Sequence, residues 1–247
     1  MQSTDLFINL AHAMTALYFW EFGLSIGYDW DCFTGKRSLR YPVIFYLLNR
    51  YCLLGALVAL TVYMDGPATV NCRSSVLAFQ ILGNSALGFS TAILSIRMVV
   101  ISADSPIIVI SLCGAMIGQW SLLLHGVIIA ASRLGEGCVI DDVRHEILVA
   151  ISVYTMVLDL IVLVLTAVVT HNGSAPRSRL AALIMTDGLI YFIIVFLAHM
   201  AVTLCTTLDG RPAISVTANV PAMVISTVAS CRVIRNLSSH SNCAENS

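Results

Sequence analysis

An all-α integral membrane bundle of seven transmembrane helices, N-terminus outside and C-terminus cytosolic, is predicted by three features of this sequence. Hydrophobic residues make up 58% of the 247 and charged residues 11%, with a mean hydropathy of +0.88; soluble domains carry about 25% charged residues. Seven apolar stretches, 6–27, 41–64, 75–99, 107–131, 146–170, 180–205 and 213–234, are long enough to cross a bilayer, whose hydrocarbon core of roughly 30 Å needs about 20 helical residues. The charges fall mainly in the short connections between these stretches.

Taken in order, the first stretch follows Asp5 with no Lys or Arg before it. It is too long for the apolar core of a signal peptide, so a retained span is expected. Connection 28–40 carries Lys36, Arg37 and Arg40 and leads into the second span. Asp65-Gly66-Pro67 punctuates the entry to the third span, and Ser105-Pro106 the entry to the fourth. The fifth span follows connection 132–145, and the sixth follows Asn172-Gly173-Ser174. The seventh ends in a short polar tail. Residues 1–237 are expected to form one transmembrane domain, and 238–247 a disordered cytosolic tail. No internal repeat is evident, which weakens a transporter reading based on inverted repeats.

Orientation follows from basic residues in short loops. Lys36, Arg37, Arg40, Arg97, Arg177, Arg179, Arg232 and Arg235 fall on one side, and Arg73, Arg133, Arg144 and Arg211 on the other. Eight against four places the first set in the cytosol. The sequons at Asn172 and Asn236 then face the cytosol and stay unmodified.

Cys72 and Cys138 fall in connections assigned to the outer side, where disulfides persist. A bridge between them would pin the second outer loop to the top of the third span, as in seven-helix receptors; two unbridged thiols are the alternative. The other cysteines within spans read as small apolar residues.

Charges inside a bilayer are costly and usually face partners in the bundle interior. Glu21 and Arg50 lie at depths differing by about 5 Å on consecutive helices, so an intramembrane ion pair between them is expected, assisted by Asn49. The alternative has Arg50 snorkelling to the interface. Asp159 and Asp187 are candidates to share a cavity, where two close carboxylates resist double ionisation. If the chain is an enzyme, Asp159, Asp187 and Glu21 are its candidate catalytic groups. The bland reading gives each carboxyl a hydroxyl partner on a facing helix. Asn49, Asn84, Gln119, His125 and His199 are candidates for an inward polar cavity.

His12, His125 and His199 sit at similar depth, and Ser121 with His125 echoes the Ser-xxx-His element of seven-span zinc amidohydrolases. Those also need a His-xxx-His pair, which this chain lacks. Interhelical hydrogen bonding accounts for the histidines better, and no metal or cofactor is expected. Lys36 is the single lysine and lies in a connection, which excludes a retinal Schiff base in the last span. Ser95-Ile96-Arg97 and Asn219-Val220-Pro221 differ from the switch motifs of common animal receptors. No phosphate-binding glycine loop and no basic-aromatic surface for nucleic acid is present.

Three segments carry a resemblance: Ala16 to Glu21 with Tyr18 and Trp20; Trp30 to Leu39 with Lys36-Arg37-Ser38; and Leu47-Leu48-Asn49-Arg50-Tyr51. They resemble the N-terminal signature of a fungal, basidiomycete membrane family known as domain of unknown function 6533. Ser230-Cys231-Arg232 through Arg235-Asn236-Leu237 is similar to that family's closing helix. Asp29-Trp30-Asp31 departs from its acidic-to-Trp spacing. The resemblance implies seven spans and no established activity.

The sequence therefore predicts a multi-pass membrane protein, in the plasma membrane or an endomembrane. A receptor-like or sensor-like bundle for a small apolar ligand is the leading reading, with the lipid bilayer as its surroundings. A membrane-embedded terpene or prenyl cyclase working through carboxylates is the first rival, and a transporter the second.

Overall fold

Among the described residues, a helix occupies each of the seven predicted positions, and an eighth is added between the first two. The computed structural model describes residues 2–35, 41–65, 72–101, 106–133, 145–171, 179–208 and 212–245, with side chains over 8–35, 41–65, 73–99, 106–128, 146, 149–168, 189–208 and 219–236. The helices are α1 (Gln2–Leu24), α2 (Ile26–Phe33), α3 (Tyr41–Asp65), α4 (Cys72–Ile101), α5 (Pro106–Arg133), α6 (His145–His171), α7 (Arg179–Leu208) and α8 (Pro212–Glu245).

Among the described residues, five segments are long and apolar enough to cross a membrane: Tyr41–Asp65, Arg73–Val99, Pro106–Ile128, Val149–Val168 and Leu189–Leu208. They belong to α3 through α7; α1 and α8 are described only in part. Helices satisfy their backbone hydrogen bonds internally, which is the condition for crossing lipid. On α5, Ile107, Ile110, Ile117, Leu124 and Ile128 are exposed along the helix. A continuous apolar face of that kind suits lipid, not water. An all-helical bundle with these faces is compatible with a multi-pass membrane protein.

Two elements differ from expectation. The first apolar stretch does not run to residue 27 as one rod: it breaks at Ser25, and α2 occupies the start of the segment read as a loop. Ser25 donates its hydroxyl to the Glu21 carbonyl at 2.7 Å, satisfying an acceptor at the end of α1. Gly35 closes α2 with φ +72, a left-handed conformation that a side chain would strain. At the other terminus, α8 continues to Glu245, so residues 238–245 of the segment 238–247 expected to be a disordered tail are helical. Pro221 lies within α8 and removes one backbone hydrogen bond.

Helices α3 to α8 pack in sequence around a closed ring, with α8 returning against α3; α1 lies against α8 and α3, and α4 touches α8 across the ring. Leu53, Leu57, Ala86, Val220 and Val224 form a core shared by α3, α4 and α8. Leu94, Met98, Leu158, Val162 and Val195 form a second core among α4, α6 and α7. Small residues set the closest approaches. A Cβ on Gly55 would lie 2.9 Å from Leu82 Cδ1, and one on Gly88 2.7 Å from the Trp120 ring. Such contacts drive helix association where lipid removes the hydrophobic difference.

Candidate functional site

Polar side chains gather where the α1–α2 break meets α3 and α8. Arg50, on α3, is the centre. Its Nε lies 2.9 Å from Asp29 Oδ2, and the two side chains are only 4% and 2% exposed. The Nε hydrogen is not aimed at that oxygen, so the contact is a charge pair and not an aligned hydrogen bond. Arg50 Nη1 donates to the Ser25 hydroxyl and, at 2.9 Å, to the Tyr46 hydroxyl; Nη2 donates to the Phe22 carbonyl at 2.6 Å. The guanidinium also sits 4.1 Å from the centre of the Phe22 ring, a cation–π arrangement. Tyr46 donates to Asp29 Oδ1 at 2.8 Å, and Tyr18 donates to the Arg50 carbonyl at 2.7 Å. A buried charge pair is sustained only with this kind of additional hydrogen bonding.

The expected Glu21–Arg50 ion pair is corrected by this geometry. Glu21 is held by α8: its Oε2 lies 2.8 Å from Arg232 Nη2 and its Oε1 2.7 Å from Arg235 Nη2. Arg232 Nε adds a second bond to Oε1 at 3.1 Å, making a fork on the carboxylate. The cause is the break at Ser25. It swings α2 back so that Asp29 covers Arg50, while Glu21, one turn before the break, faces α8. Asp29 was absent from the candidates because it reads as a loop residue.

Asn49 turns toward α8. Its Nδ2 donates to Ser230 Oγ at 2.9 Å, and Thr227 donates to its Oδ1 at 3.2 Å. Beside it, the Ser90 and Ser226 hydroxyls lie 2.6 Å apart, and Ser90 donates to Ser230 Oγ at 3.2 Å. A hydroxyl seam therefore joins α3, α4 and α8. A small cavity of about 220 Å³, counted through its open mouth, lies among Tyr18, Glu21, Arg50, Thr227, Cys231 and Arg235. Most of that volume is open solvent, and the enclosed part is about the size of one water molecule, so the cleft suits water or a small group.

A second buried pair joins α6 to α7: Asp159 Oδ2 meets His199 Nδ1, both nearly inaccessible. Among the described residues Asp159 is thus paired with an imidazole; the side chain of Asp187, on α7, lies outside them. Among the described residues, His199 Nε2 is buried with no hydrogen-bond partner, as is Gln119 Oε1. Gln119 Nε2 donates to Thr91 at 3.1 Å, linking α5 to α4. Counting from connection 172–178 sets His199 about 12 Å deeper than Asp159, so the sequence did not bring them together.

The remaining candidates scatter. His125 is exposed on the apolar face of α5 beside Leu124, so it does not belong to an inward cavity. Asn84 is half-buried on α4. His12 Nε2 lies 3.5 Å from Asp65 Oδ2, partly exposed at the opposite end of the bundle. Among the described residues no group of three or more His, Cys, Asp or Glu is placed to hold a metal. The expected Cys72–Cys138 bridge lies outside the described residues. Compared with known proteins, the chain matches no family model, no curated protein and no solved structure.

Proposed function

We propose that the chain is a seven-span sensor-like membrane protein, with α1 and α3 to α8 as its spans, the N-terminus outside and the α2 end in the cytosol. One observation carries this reading: bonds from Asp29, Arg50, Glu21, Arg232 and Arg235 tie the first, second and last spans together at a single end. Two charge clusters side by side at that end form a latch whose state a ligand elsewhere in the bundle can bias, provided the ligand binds the two states unequally. The ligand is a small, largely apolar molecule, entering from the outer side or the membrane. Its polar handle is met by His199 Nε2 or Gln119 Oε1, buried atoms that have no partner among the described residues.

The proposed kinship with domain of unknown function 6533 is supported by position. Tyr18, Glu21, Asn49, Arg50, Ser230, Arg232 and Arg235, which carry the resemblance, converge on the latch and its hydroxyl seam. Membrane topology is tested with engineered sequons in microsomes: sugar on connections 66–71 and 134–144, and none at Asn172 or Asn236, is the expected pattern. Sugar at either native sequon reverses the orientation. The ligand reading is tested by thermal unfolding of the purified protein against a panel of apolar molecules. A true ligand at 100 times its Kd adds about 2.7 kcal/mol, and Glu21→Gln changes its affinity; a panel without any shift removes the sensor reading.

The Asp159–His199 pair favours a second reading, a membrane-embedded enzyme of the terpene or prenyl cyclase class. A carboxylate orienting an imidazole with a free second nitrogen is able to move a proton. Metabolite profiles of cells expressing the wild type and Asp159→Asn separate the two: a product lost in the variant supports the enzyme, and identical profiles exclude it.

A further inference from the structure

We propose that α2 is an in-plane helix whose outer face, Ile26, Trp30 and Phe33, is seated in the headgroup–acyl boundary of an anionic lipid leaflet. The inference rests on the membrane reading above and assigns one face of the chain to one partner.

The course of α2 is set by its contacts. Ser25 accepts from Arg50, Asp29 pairs with Arg50, and the Tyr28 and Tyr46 rings lie 5.2 Å apart. At the far end, the Phe33 ring is 6.3 Å from that of Tyr51. From Ser25 to Phe33 the helix advances about 12 Å, yet every one of these partners falls within residues 46–51 of α3. A helix running alongside α3 would have moved by eight positions. These partners span only five positions, about 7.5 Å of α3, so α2 crosses α3 at an angle and does not run alongside it.

Its two faces differ sharply. Asp29 and Cys32 are each 1% exposed, whereas Ile26 is 56%, Trp30 67% and Phe33 65% exposed. The exposed three recur at i, i+4 and i+7, one stripe of a helix. The Asp29–Arg50 pair fixes the rotation, so the stripe has no freedom to turn inward. Exposed Trp20, Leu24 and Tyr41 extend the same end of the bundle. Aromatic side chains of this kind concentrate at membrane interfaces. In sequence, Lys36, Arg37 and Arg40 follow directly, and cations beside an apolar stripe match an anionic leaflet. Water is a poor partner for such a stripe, and the cations that follow it in sequence favour an anionic lipid surface.

The test uses the full chain in phosphatidylcholine vesicles with and without phosphatidylserine. Trp20→Phe with Trp120→Phe leaves Trp30 as the sole reporter. Lipids brominated ~5–10 Å below the interface are expected to quench Trp30 more than lipids brominated near the chain ends, and phosphatidylserine to deepen the quenching. If the double variant fails to fold, the difference between wild type and Trp30→Phe gives the same reading. Quenching by aqueous acrylamide and not by bromolipid overturns the proposal, as does protection from both, which would mean that a second copy or another protein covers the face. Carbonate extraction of the same membranes separates the two layers of inference. A chain that resists extraction while Trp30 escapes bromolipid is a membrane protein without this docking face, and a chain that is extracted loses both.

Discussion

Asp29 and Arg50, twenty-one residues apart on different helices, hold each other at 2.9 Å where water does not reach. The pair closes the turn between the first two long helices and sets the angle of α2. Removing one member strands the other. Asp29→Asn is expected to destabilise the protein by about 3–5 kcal/mol, the cost of a buried, uncompensated charge. Thermal unfolding in detergent checks it, and a loss near 0.5 kcal/mol would show that the charge is relieved by solvent.

Glu21 behaves differently because Arg232 is half exposed. Glu21→Gln is expected to cost no more than about 1 kcal/mol, and less in high salt, where exposed charges are screened. The comparison with Asp29→Asn under identical conditions ranks the two clusters.

Tyr46 donates to Asp29 at 2.8 Å and Tyr51 at 3.4 Å. Tyr46→Phe leaves a buried carboxylate oxygen short of a donor and is expected to cost about 1–3 kcal/mol. Tyr51→Phe is expected to change stability by less than about 0.5 kcal/mol. Unfolding midpoints of the two variants provide the measurement, and equal losses would contradict the geometry.

For Asp159 and His199 the informative experiment is a double-mutant cycle. Asp159→Leu and His199→Leu each leave a buried polar partner alone, whereas the double variant removes both. The double variant is expected to be more stable than the sum of the singles predicts, with a coupling of about 0.5–3 kcal/mol. Additive losses would show that the two side chains act separately.

At Gly88 the indole of Trp120 occupies the space a side chain would need. Gly88→Leu is expected to cost about 1–3 kcal/mol through overpacking, and Gly88→Leu with Trp120→Ala to recover part of it. Failure of the second change to help would place the strain elsewhere.

The sequence disclosed the long helices because composition and segment length determine them in lipid. It also disclosed that Glu21, Arg50, Asn49 and Asp159 need partners. It misassigned those partners where they depend on a local break. Ser25 looks unremarkable in an apolar run, yet the turn it makes exchanges Glu21 for Asp29 beside Arg50. The Asp159–His199 pairing depends on how far α7 is offset against α6, which loop punctuation does not encode. His125 fails for a rotational reason: depth along a helix is read from residue number, but the face it presents is set by packing.

Glu21 and Arg232 are 211 residues apart in the chain, whereas Asp29 meets Arg50 within one hairpin. A ribosome adding 5–20 residues per second supplies that distant arginine only after about 10–40 s. During biosynthesis the hairpin is able to neutralise its own buried charge almost at once, while the carboxylate on the first helix waits for nearly the whole polypeptide. Any chain cut short before the last helix emerges leaves the Glu21 carboxylate without Arg232 and Arg235.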